Sequence, residues 1–393
     1  MKKFDIKKLL SPVVTSIPPS GIRKFFDVAA EMKDVISLGV GEPDFVTPLH
    51  IREAGIASLE QGHTYYTSNS GLVELRQEIV NYMERKQSLT YNPNDEVLVT
   101  VGGSEAIDLA LRALVSPGDE VLVPEPSFVC YKPDAVLAGG VAVPIETKEC
   151  DSFKLTKAAL KAAITPRTKV LILPYPNNPT GGIMDKSDLE AIAEVLCGTN
   201  IMVLSDEIYS ELTYGKEPHF SIAQIPDMKE RTVVINGFSK AYAMTGWRMG
   251  YACGHSDIIA AMTKIHQFAI MCAPTVSQYS AVEALKNGDA DIEMMRKEYN
   301  YRRRVIVDGF RKMGLSCFEP LGAFYVFPCI RSTGLTSDEF CERLLREEKV
   351  AVVPGNAFGD SGEGFIRCSY AYSIENIKEA LERIKRFVEK YKG

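Results

Sequence analysis

The sequence predicts an α/β protein in which a large domain with a mostly parallel central sheet is followed by a smaller α+β domain. Three observations predict this. Between residues 97 and 253, short apolar runs recur and alternate with longer periodic segments. The runs are apolar throughout rather than at every second residue, as strands covered on both faces are. Beyond residue 254 the alternation gives way to helical periodicity up to about residue 312, and residues 315–393 then mix short strands with helices.

In chain order, the stretch to Pro19 is rich in turn formers and reads as an extended arm. Residues 72–86 place Leu72, Leu75, Ile79 and Met83 on one helical face. Strands are expected at 97–101, 120–123, 141–144, 170–173, 201–205, 233–235 and 249–253, with helices over 104–115, 128–138, 156–163 and 185–197. The charged stretch 294–304 reads as a solvated helix face. Strands near 323–327, 351–353 and 364–369 and helices over 336–347 and 374–390 complete the chain. The expected division is an arm plus part of the small domain over 1–45, the large domain over 46–285 and the small domain over 286–393. There is no internal repeat and no low-complexity segment.

Composition narrows the function classes. Of 393 residues, 46% are hydrophobic and 24% charged, enough apolar matter for sizeable cores and against large-scale disorder. A net charge of −6 argues against a nucleic-acid surface. Nine scattered cysteines without a CxxC pair suit reduced thiols, and no disulfide framework or metal site is expected. No run approaches the roughly 18–20 apolar residues of a membrane helix, and the basic start MKKFDIKKLL leads into no apolar signal core. A cytoplasmic location is expected.

Open parallel sheets gather ligands at the carboxyl ends of their strands. After the first strand comes Gly102-Gly103-Ser104, which can be a plain turn with Ser104 as helix cap or a phosphate cradle at a helix N-terminus. After 170–173 comes PYPNNPTG, a rigid loop whose prolines also hold the Asn178 amide for a ligand. Asp206 ends the next apolar run, either as a helix cap or as a buried acid that needs a cationic or donor partner. After 233–235 come Ser239 and Lys240. A lysine there is a snorkelling surface group or, if desolvated, a nucleophile for a carbonyl. Arg248 follows, as an anion contact or a structural ion pair. A phosphate cradle, a fixed amide, a buried acid and a lysine at the strand ends of one sheet together meet the requirements of pyridoxal phosphate.

The chain resembles the class I/II aminotransferases of fold type I, over nearly its whole length. SKAYAMTGWRMGY, NNPTG, DEIYSELTY and VGGSEAI stand in the family's order and spacing. Through SGIRKF, YPNNPTG and the block at 205–214 it looks closest to bacterial aspartate, aromatic and N-acetyl-diaminopimelate aminotransferases. The resemblance implies that Lys240 forms the internal aldimine and then moves the proton. Asp206 would keep the cofactor's pyridine nitrogen protonated, while Tyr209 and Asn178 would hydrogen-bond its phenolic oxygen. Gly103, Ser104, Ser239 and Arg248 would bind its phosphate, and Phe128 would stack on its ring. Arg367, in FIRCSYA, would pair with the substrate α-carboxylate, near backbone offered by Gly41. Tyr66 matches a tyrosine that relatives lend to the neighbouring subunit's phosphate, which implies a homodimer with shared sites.

The resemblance has two departures. Gly237 stands where a phosphate-binding serine is frequent, and Ser104 stands where some aspartate-selective relatives carry lysine. The implied reaction moves an amino group from an L-amino acid to a 2-oxo acid such as 2-oxoglutarate, alternating between two cofactor forms. C–S β-elimination on the same scaffold is the alternative. A cofactor-binding DNA regulator is a third reading, disfavoured by the acidic chain and the short stretch before GVGEPDF. Ile22, Tyr65 and Phe128 lean toward an aromatic or large apolar substrate.

Overall fold

The computed structural model describes residues 6–19 and 32–391. Its centre is a seven-stranded sheet in the order β2 (Val97–Thr100), β8 (Gly250–Cys253), β7 (Thr232–Gly237), β6 (Met202–Asp206), β5 (Thr168–Leu173), β3 (Glu120–Glu125) and β4 (Val141–Glu146). Every pairing is parallel except the two made by β8. Alternate residues of one strand serve opposite faces. Val97 and Val99 pack with the helices Val73–Gln87 and Thr275–Asn287, whereas Leu98 packs with the helix Gly103–Leu114. Burial on both faces is why these strands read as continuous apolar runs. Only β4, at an edge, is largely open.

The expected helix at 72–86 runs Val73–Gln87, with Leu75, Ile79 and Met83 fully buried. Two expectations need correction. The segment before Pro19 holds a 3-10 turn, Ile6–Leu9, and a short helix, Pro12–Ser16, where the sequence predicts an extended arm rich in turn formers; Pro12 at the first helical position favours that start. The stretch 294–304 is not simply solvated. It lies in the helix Asp289–Lys312, where Met295, Tyr299, Arg302 and Arg303 are buried. The arginines tolerate burial because Arg302 pairs with Asp44 and Glu298, and Arg303 with Glu319.

A second core forms around that helix, the helices Ser337–Glu348 and Ile374–Tyr391, and short strands. β11 (Val353–Pro354), β12 (Ile366–Ser369) and β9 (Tyr325–Val326) make an antiparallel sheet. β1 (Ile36–Ser37) pairs with β10 (Val350–Ala351), so residues 36–37 are tied to the C-terminal part of the chain. Ile366 and Cys368 enter this core, and alternation turns Arg367 the other way. Among the described residues no helix is long and apolar enough to cross a membrane.

Candidate active site

A cavity of about 360 Å³ opens where the carboxyl ends of the sheet strands face the β9–β12 sheet and the turn after β1. The topology explains its lining. Gly103 and Ser104 follow β2, Phe128 follows β3, Asn178 follows β5, and Ser239 and Lys240 follow β7, all leaving the sheet at the same edge. Arg248 precedes β8 and reaches that edge because β8 runs antiparallel to its neighbours. Asp206 and Tyr209 stand at and just after the end of β6, while Gly41 and Arg367 close the other side.

Asp206 ends β6 and is buried. Its Oδ2 accepts from the Tyr131 hydroxyl at 2.7 Å and its Oδ1 from the Ile208 amide at 3.2 Å, so it is both locally capped and held by a remote donor. Burial pushes its pKa up, and these hydrogen bonds oppose the shift. Lys240 donates from Nζ to the Gly41 carbonyl oxygen at 2.7 Å. Burial lowers its pKa to about 8; Glu42 pulls it back up, while the Arg367 and Arg248 charges add to the lowering. Such an amine spends an appreciable share of its time neutral near physiological pH, unlike a snorkelling lysine.

The Asn178 amide is fixed as its prolines suggest: its Oδ1 accepts from Arg367 Nη1 at 2.9 Å. Arg367 also donates to the Gly39 carbonyl, and its guanidinium lies over the rings of Tyr325 (4.5 Å) and Phe358 (4.8 Å). Its buried Nε has no partner among the described residues, a donor left over for an incoming acceptor.

Among the described residues no side chain caps the first turn of the helix Gly103–Leu114. Gly102 holds φ +81° there, and a Cβ on it would come within 2.5 Å of Arg248 Nη2. Arg248 donates to the Thr245 carbonyl at 3.0 Å and stays exposed toward the cavity. An uncapped helix start beside a hydroxyl and a guanidinium suits a phosphate. These features fit pyridoxal phosphate: an anion cradle, a buried acid, and a desolvated amine that shares one cavity with that acid and Arg367.

The family model for aminotransferase class I and II matches residues 33–384. The chain belongs to the class I and II aminotransferases. It is 56% identical to a protein of Bacillus subtilis (strain 168) named "Putative aminotransferase YugH", over 97% of this chain and 98% of that one. It is 46% identical to an aspartate aminotransferase of Pyrococcus abyssi, over 96% and 97%. Among solved structures, the aspartate aminotransferase from Thermus thermophilus with maleate superposes with a TM-score of 0.92 at 40% identity, covering 96% of this chain and 99% of that one. The fold is therefore that of the fold type I aminotransferases, the protein is a transaminase, and its cofactor is pyridoxal 5′-phosphate.

Of the residues singled out in the sequence, Tyr66 does not line the cavity of its own chain. It is 81% exposed, and its neighbour Tyr65 is 82% exposed, so Tyr65 does not shape this pocket from within one subunit. Both precede the helix Val73–Gln87 on the outer surface. Ile22 lies outside the described residues. Sequence reasoning missed Tyr131 and Tyr325, which line the cavity. Tyr131 carries a signal in the sequence: it is the tyrosine of PSFVCY, three residues beyond Phe128, and opens the helix Tyr131–Leu137.

Proposed function

We propose that this aminotransferase moves the amino group of an L-amino acid to 2-oxoglutarate in two half-reactions of ping-pong type, as part of amino-acid metabolism. The observation that carries the reading is Lys240, an amine with its pKa lowered to about 8, set in the same cavity as Asp206 and Arg367. When bound, the cofactor supplies the electron sink for the bond broken at the amino acid's α-carbon.

The chain's own residues divide the remaining work. Lys240 is the amine that would hold the cofactor's aldehyde carbon, and once released it would take the α-proton and deliver it to that same carbon, a task that requires the neutral form. Asp206, supported by Tyr131, holds a proton on the ring nitrogen. Tyr209 donates its hydroxyl proton to the ring's phenolic oxygen, with the Asn178 amide beside it. Phe128 covers the ring face, and Gly103, Ser104, Ser239 and Arg248 take the phosphate. Arg367 takes the substrate α-carboxylate next to the Gly41 backbone, its unpartnered Nε among the donors.

We further assign residues 46–285 to a cofactor domain and 286–393, with part of 1–45, to a small domain; the pairing of Ile36 with Val350 and the shared core that includes Leu38 support this. Tyr65, Tyr66 and Phe268 are each more than four-fifths exposed, large rings suited to burial against a second copy. In such a homodimer Tyr66 would reach the partner's phosphate site. Nine free cysteines support a reducing, cytoplasmic setting.

The test is a panel of amino donors, including L-aspartate, L-phenylalanine and L-glutamate, with 2-oxoglutarate or oxaloacetate as acceptor. Colour of the bound cofactor should be lost with the donor alone and recovered on adding the acceptor. Release of pyruvate and ammonia from a cysteine conjugate without any acceptor would favour the β-lyase reading instead.

A further inference from the structure

Tyr325 is a small-sheet residue with no assigned part in the reaction, yet its side chain meets three groups of the site. It is fully buried on β9. Its hydroxyl lies 2.8 Å from the Tyr209 hydroxyl, and the two rings meet edge to face at 5.9 Å. Its ring carries the Arg367 guanidinium at 4.5 Å. Register explains the second contact: Tyr325 pairs with Ser369 across β9 and β12, which makes Arg367 its diagonal neighbour on one face. The third contact is with the turn after β1. A Cβ at Gly41 would come within 2.5 Å of the Tyr325 hydroxyl, so the turn that accepts the Lys240 ammonium can pass only because residue 41 has no side chain.

We propose that Tyr325 is a positioning residue that holds the cofactor-oxygen tyrosine Tyr209 and the carboxylate-binding Arg367 in register with each other. The inference rests on the reading of the site given above and extends it to a residue that reading leaves idle. Tyr209 has one O–H. If that proton is given to the cofactor's phenolic oxygen, the Tyr209 oxygen still accepts, and among the described residues the Tyr325 O–H is the donor in reach. A donor behind Tyr209 makes it a stronger donor in front, because hydrogen bonds in a chain polarise one another. The ring of Tyr325 does a separate job under Arg367, where a cation over an aromatic face is stabilised without a competing hydrogen bond. The titratable and charged groups that face Tyr325 are Tyr209, Arg367 and Tyr372, and Tyr209 in turn faces Asp206.

The two jobs separate by substitution in the cofactor-loaded protein. Tyr325→Phe keeps the ring under Arg367 and removes only the hydroxyl. It should raise the pH midpoint of the bound cofactor's colour change by about 0.5–1 unit, the shift that loss of one such hydrogen bond supports, and lower kcat more than it changes the KM for L-glutamate. Tyr325→Leu removes both and should raise the KM for L-glutamate about tenfold as well. An unshifted colour midpoint in Tyr325→Phe overturns the link to Tyr209, and it does so without relying on the bulkier change. A KM in a folded Tyr325→Leu equal to that of Tyr325→Phe overturns the link to Arg367. The reference is the unsubstituted protein tagged at Lys240 by borohydride reduction. Absence of that tag overturns the reading of the site and this proposal together, whereas a tagged parent with unshifted variants overturns this proposal alone.

Discussion

Arg367 reaches out of β12 and donates to the Asn178 side-chain oxygen at 2.9 Å, so the proline-rich loop after β5 and the small antiparallel sheet meet through one charge-assisted hydrogen bond. Among the described residues the Nε of the same guanidinium has no partner. A planar fork can serve Asn178, the Gly39 carbonyl and an arriving carboxylate at once with its donors in one plane, and the compact ammonium of a lysine offers no such paired geometry. Arg367→Lys should therefore lower kcat/KM for L-glutamate by about 10²–10³-fold, chiefly through KM. Steady-state kinetics check this. A loss of only a few-fold would mean that the carboxylate lands elsewhere.

The pKa of Lys240 sets a pH dependence for cofactor capture. The amine attacks an aldehyde only when neutral. With the pKa lowered to about 8 by burial and by Arg367 and Arg248, the neutral fraction is small below that value and nearly complete above it. The rate at which cofactor-free protein takes up pyridoxal phosphate should fall about tenfold for each pH unit below 8 and level off above it. A stopped-flow series from pH 6 to 10 measures it. A rate still climbing toward the ordinary lysine value of 10.5 would contradict the desolvated amine.

Tyr131 guards the charge on Asp206. Burial already pushes this carboxyl up, and the Tyr131 hydroxyl at 2.7 Å opposes that push. Tyr131→Phe should raise the Asp206 pKa further, so the carboxylate form is lost first on the acid side. Activity is expected to drop about tenfold near neutrality and more steeply toward pH 6, following the cost of one hydrogen bond to a buried charge. A pH–kcat profile parallel to that of the unsubstituted protein would remove Tyr131 from this role.

Gly250 supports the anion cradle through backbone alone. A Cβ there would come within 2.5 Å of the Gly102 carbonyl carbon and 2.6 Å of the Gly103 nitrogen, and backbone cannot swing aside as a side-chain tip can. Gly250→Ala should cost about 1–3 kcal/mol of stability from overpacking and weaken binding of pyridoxal phosphate more than of unphosphorylated pyridoxal. Thermal unfolding and cofactor titration report the two effects. Equal weakening for both cofactor forms would argue that the displaced turn does not hold the phosphate.

Much of this arrangement was legible in the residues because parallel strands end where ligands sit. Asp206 and Lys240 stand within a few residues of buried apolar runs, and that placement is unusual for charge. The partners that set their chemistry were less visible. Tyr131 comes from a different strand-helix turn, and Tyr325 and Arg367 come from a sheet whose register no local pattern encodes. The stretch 294–304 misled for a related reason: Arg302 and Arg303 look like surface charge until Asp44 and Glu319 are brought against them by the tertiary fold. Tyr66 is exposed and apart from the cavity in a single subunit, and only the proposed dimer would give it a partner's phosphate site to reach.

The most direct measurement is chemical. The purified protein, loaded with pyridoxal phosphate and reduced with borohydride, is digested and the modified peptide sequenced by mass spectrometry. A single phosphopyridoxyl group is expected on Lys240, in the peptide spanning SKAYAMTGWR, and none in Lys240→Ala. A modified peptide centred on any other lysine, or no stable adduct at all, would contradict it.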